Sequence, residues 1–87
     1  MRMTRGEVTI GAGESAEITM SGGFLFVSFY NARYNHMYYV NYWYGSVTPI
    51  SAEFSQYIEV THEAKSNLTK ITNKTTSSQK VAYLVIG

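Results

Sequence analysis

The sequence has no cysteine, no aspartate and one proline, Pro49. Without cysteine there are no disulfides to supplement the modest core of a short chain, and either redox environment is tolerated. Without aspartate no Ser/His/Asp triad can be assembled, and a glutamate in its place would need a positioned base. The only imidazoles are His36 and His62. His62-Glu63 is not an HExxH motif, and two histidines with no Cys or Asp make a poor zinc set. A retaining glycosidase needs two carboxylates about 5 Å apart. Glu53 and Glu59 are the pair one would try, but six glutamates scattered over polar strand positions read as solvated surface. Charge is scarce and balanced, with seven Lys plus Arg against six glutamates for a net +1. That is too neutral for a chain built to grip a phosphate backbone. Lys65, Lys70, Lys74 and Lys80 are spread over loops and a strand and read as a solvated face. No run is long enough to cross a membrane, and MRMTRGE is not followed by the apolar stretch of a signal peptide. The expectation is a protein with no catalytic site, cofactor or metal, no nucleic-acid partner and no membrane insertion.

What is present is a β pattern. The 87 residues make one domain, 1–87. Between the glycines the apolar period is two or continuous, not 3.6. Strands are expected over 7–10, 15–20, 24–30, 36–44, briefly over 50–54, then 57–62, 68–73 and 80–86, with NARYN (31–35) as a turn. A helical turn has room only in 52–57. The fold class that follows is all-β, an antiparallel jelly-roll-like β-sandwich of seven to eight short strands. Asn67-Leu68-Thr69 and Asn73-Lys74-Thr75 match the glycosylation sequon, but Asn and Thr also favour turns, and turn chemistry is the reading adopted.

The richest stretch is NARYNHMYYVNYWYG, 31–45, with five tyrosines, one tryptophan and three asparagines. Rigid amphipathic rings beside amides are the material of recognition surfaces. As strands, FLFVSFY and HMYYVNYWY have no polar face, whereas an antiparallel sheet facing water alternates. Either the second face is tyrosine-rich surface, or a second subunit or a ligand covers it. Alternation places Tyr38, Val40, Tyr42 and Tyr44 toward the interior and Tyr39, Asn41 and Trp43 outward. The candidate binding residues are therefore Arg33, Tyr34, Asn35 and His36 in a loop, with Tyr39, Asn41 and Trp43 on the adjacent face. A saccharide would stack on Tyr39 or Trp43 and hydrogen-bond to Asn35 or Asn41.

The order ESAEITMSGGFLFVSF, a Tyr/Asn stretch, then LTKITNKTTSSQKVAYLVIG resembles the C-terminal β-sandwich heads of bacteriophage tail-fibre and receptor-binding proteins. Gly23 to Ser28, Ile71 to Thr75 and Val81 to Ile86 carry the likeness. The resemblance implies a homotrimer on the virion, made in the host cytoplasm, that binds a host-surface glycan through loops or inter-subunit clefts. Two other readings stand beside this glycan-binding head. One is a structural trimer decorating a phage capsid or tail. The other is a small inhibitor that grips another protein with the same Tyr/Asn surface.

Overall fold

The computed structural model describes residues 3–30, 34–51 and 56–87, with the backbone alone for Tyr34. The eight strands are β1 (Met3–Ile10), β2 (Ser15–Thr19), β3 (Gly23–Phe29), β4 (Tyr34–Val40), β5 (Val47–Ser51), β6 (Ile58–His62), β7 (Leu68–Asn73) and β8 (Gln79–Ile86). The described residues contain no helix. Two antiparallel sheets form, one of five strands in the order β1-β8-β3-β4-β5 and one of three in the order β2-β7-β6. The all-β expectation holds. These orders do not by themselves establish jelly-roll connectivity, because β3, β4 and β5 run as a meander within one sheet.

Period-two sequence explains the layering. Leu25, Val27 and Phe29 of β3, Tyr38 and Val40 of β4, and Val81 and Val85 of β8 turn inward from the large sheet. Ile18, Ile58, Val60 and Ile71 turn inward from the small one, and all belong to one buried cluster. Each such side chain contributes about 1.5–3 kcal/mol through burial. The core thus lies between the sheets, and the outward residues are left to the two outer faces.

Local rules place the connections. After β1, Gly13 takes φ +74°, the Glu14 N–H donates to the Gly11 carbonyl at 3.0 Å, and the chain reverses into β2. Gly23, at φ +109°, opens β3 where the chain passes directly against β8. On the edge strand β5, Tyr38 faces Pro49 while Met37 faces Ser51. Ile50 is thereby the extra residue of a bulge, a device common at sheet edges.

The strand expected over 36–44 is corrected. It begins at Tyr34, so 34 and 35 are not loop residues, and it stops at Val40, after which Tyr42–Tyr44 form a turn. The fifth strand begins earlier than 50–54, inside the stretch GSVTP, and ends at Ser51. The first begins at Met3 and not at Glu7. Residues 31–33 and 52–55, which include Arg33 and most of the segment where a helical turn had room, lie outside the described residues.

Candidate functional site

The candidate residues whose side chains are described do not form one site. Arg33 lies outside the described residues, and only the backbone of Tyr34 is described, paired with Phe29. The rest divide between the core, the outer sheet face and a turn.

His36 is corrected from loop to core. It sits on β4 opposite Val27, 3% exposed, and its Nδ1 shares a 2.8 Å hydrogen bond with the Tyr38 hydroxyl. Alternation from Tyr38 and Val40 sends it inward, and a partner two residues along the strand makes a buried imidazole tolerable. Burial pushes Tyr38 up to about 12, against about 10 for a free tyrosine. The folded state therefore resists ionisation. The stability this proton contributes is complete below pH ~10 and is lost as the pH rises toward 12, at up to about 1.4 kcal/mol per pH unit. Thermal melts from pH 8 to 12 should show this alkaline loss in the native chain and a shallower one in Tyr38→Phe. Parallel curves would remove Tyr38 as its cause.

Tyr39 projects outward from β4, as expected, and Asn35, corrected from loop to strand, projects from the same face. The Ser28 hydroxyl donates to Asn35 Oδ1 at 2.8 Å. Tyr39, 43% exposed, meets Phe24 edge-on, with ring centroids 5.4 Å apart. Phe26, Ser28, Asn35, Met37 and Ser51 border a shallow hollow of about 320 Å³. The cross-strand register sets Met3, Ile86, Phe24 and Tyr39 in one row and Arg5, Leu84, Phe26 and Met37 in the next. Leu84, Ile86 and Met3 were missed as surface residues. Their signal was available, since KVAYLVI has no polar alternation, but only the register shows that they join Phe24 and Phe26.

Asn41 and Trp43 are corrected from strand to turn. The Asn41 side-chain carbonyl accepts the N–H groups of Trp43 at 2.9 Å and Tyr44 at 3.2 Å. Its backbone N–H donates to the Ser46 carbonyl, and its own carbonyl accepts the Gly45 N–H. An Asn side chain that mimics a backbone turn in this way ends the strand. Gly45 has φ +68° and fits against the chain at 62–64, where an added Cβ would lie 2.7 Å from the Ala64 nitrogen. The Lys65 N–H donates to the Tyr42 carbonyl at 2.7 Å. So the turn is pinned from within and from the neighbouring loop. On this frame Trp43 and Tyr44 are 66% and 82% exposed, and Tyr42 braces the indole edge-on at 5.3 Å.

At the far end of the large sheet, Glu7 accepts a hydrogen bond from the Tyr30 hydroxyl at 2.7 Å and pairs with Lys80 at 3.3 Å. The Tyr30 bond, then Lys80, hold the Glu7 carboxyl below its usual range. Both side chains are about half exposed, and such pairs contribute little to stability. Among the described residues no group of three or more His, Cys, Asp or Glu side chains is placed to hold a metal. No protein-family model, curated protein or solved structure matches this chain.

Proposed function

We propose that this chain is a non-catalytic binding module that recognises a saccharide through the aromatic turn Asn41–Gly45. The observation that carries the reading is the exposure of Trp43 and Tyr44 on a backbone held at both ends. Two large rings left in water at a tight turn gain nothing for the fold. Held rigid, they offer flat apolar area at little entropic cost on binding. Sugar C–H faces stack on such rings, while nearby amides and hydroxyls serve the sugar hydroxyls. The saccharide-binding head of a phage fibre is one setting for such a module. The reading itself needs neither the trimer nor the virion location that the resemblance implies.

The test is a pair of variants. Trp43→Ala should leave the melting temperature nearly unchanged, because a surface substitution of this kind stays within about 0.5 kcal/mol, yet abolish retention on a glycan array. Asn41→Ala should cost about 1 kcal/mol, as loss of a cap does, and weaken binding only by loosening the turn. A Trp43→Ala protein that still binds its glycan would end the reading. So would a native chain that binds no glycan.

A further inference from the structure

The two outer faces of the sandwich differ in kind. The three-stranded sheet presents Ser15, Glu17, Thr19, Glu59, Thr61, Lys70 and Thr72, with Leu68 as its one large apolar side chain. Ser15 and Thr72 are hydrogen-bonded across it at 2.7 Å. This is the polar face that an antiparallel sheet turns to water. The five-stranded sheet presents Met3, Phe24, Phe26, Met37, Tyr39, Leu84 and Ile86 over one half of its outer face, and polar side chains such as Glu7, Ser28, Asn35 and Lys80 over the other.

From this contrast we infer that the outer face of the five-stranded sheet is where two copies of this chain pair face to face about a two-fold axis. This inference is independent of the saccharide reading, which concerns the turn.

Three observations select a second copy as the occupant. The first is charge. Among the described residues the only charged side chains on this face are Arg5, Glu7 and Lys80, all on β1 and the first half of β8, and Glu7 is tied to Lys80. The columns of β3 and β4 carry none. A two-fold axis lays a patch on itself, which any strong single-sign field would forbid. Here there is none, and the whole chain carries only +1.

The second is size. Five strands at about 4.8 Å and seven residues at about 3.3 Å give a face of roughly 24 × 23 Å, near 550 Å² in projection. Side-chain relief raises the accessible area toward the ~800 Å² per partner of a standard interface. Flat sheets stack at about 10 Å, so one partner suffices to cover such a face. Three-fold packing would instead divide it between two neighbours.

The third is residue type. Aromatic and methionine side chains with charge depleted at the centre are the composition of interface cores. Phe24 and Tyr39 are already locked edge to edge, so little side-chain freedom is lost on contact.

Light scattering decides. At about 100 µM, above the micromolar-to-picomolar range of standard-size interfaces, the mass should be twice the 9.8 kDa of one chain. Phe26→Glu and Tyr39→Lys should each return it to one chain, and Trp43→Ala should leave it at two. Tyr39 is 43% exposed, so its variant keeps the test intact should a charge at half-buried Phe26 unfold the protein. A native mass of one chain overturns the inference. A mass of three chains overturns the face-to-face pairing. A Tyr39→Lys protein that stays at two chains, or a Trp43→Ala protein that falls to one, moves the contact off this face and overturns it as well.

Discussion

Asn73→Ala should lower stability by about 3–4 kcal/mol, since each buried polar group stripped of its partner costs about 1–3 kcal/mol. The residue is fully buried, and its amide ties the turn that follows β7 to the distant end of β1. Nδ2 donates to the carbonyls of Ile10 at 2.9 Å, Gly11 at 3.2 Å and Ser77 at 2.9 Å. Oδ1 accepts the backbone N–H of Thr75 at 2.9 Å and its hydroxyl at 2.6 Å. Alanine strands those partners together, and nothing apolar replaces them. A domain of this length has about 4–13 kcal/mol in all, so the loss is a large share, and the midpoint should fall by roughly 15–25 °C. Exposed Lys74→Ala should move it hardly at all. An Asn73→Ala protein melting within a few degrees of the native chain would show that the network is dispensable. The asparagine of the second sequon thus ends β7 and braces the turn that follows it, and its amide is engaged on both sides.

Gly23→Val should cost about 4 kcal/mol, from two sources of about 1–3 kcal/mol each: an unfavourable backbone angle and a clash in a packed region. At φ +109° an added Cβ would clash with the Ile86 carbonyl oxygen and lie 2.8 Å from the Gly87 Cα. Both are backbone atoms, so no side chain can swing aside. Gly13 separates the two sources. It has φ +74° with open space around it, so Gly13→Val carries the strain alone, about 1–2 kcal/mol. Urea titrations of both variants should differ by 2 kcal/mol or more. Equal midpoints would mean that β8 does not press on Gly23.

The strands were legible wherever the two faces differ chemically. Leu68–Asn73 alternates Thr69, Ile71 and Asn73 inward with Leu68, Lys70 and Thr72 outward, and its bounds match the expectation. The run 36–44 misled because Tyr, Asn and Trp suit a strand and a turn alike. Alternation of residue type continued past Val40 after the backbone had turned at Asn41. His36 misled for a related reason. Beside NARYN it resembled a loop residue, and its hydrogen bond to Tyr38, which helps make an inward imidazole reasonable, is not encoded in the local sequence. The apolar outer face was half legible. FLFVSFY announced two apolar faces, but Leu84 and Ile86 join it through cross-strand register, which a single strand's pattern does not encode.

The place of β8 has a consequence for how the molecule is made. In the large sheet β8 lies between β1 and β3, yet it follows both in sequence. During synthesis β1 has no neighbour in its sheet until residues 79–86 have left the ribosome. The β3–β4–β5 meander and the β6–β7 hairpin can pair as they emerge, since their partners are adjacent in the chain. The β1–β8 and β3–β8 ladders, and the β2–β7 ladder to a lesser degree, must close long loops first, and such contacts form slowly. Until then, the apolar residues of β3 stand beside an unpaired strand edge, the condition under which nascent β proteins aggregate. Completion of the large sheet therefore waits on one strand, whose insertion ties the first segment to the rest.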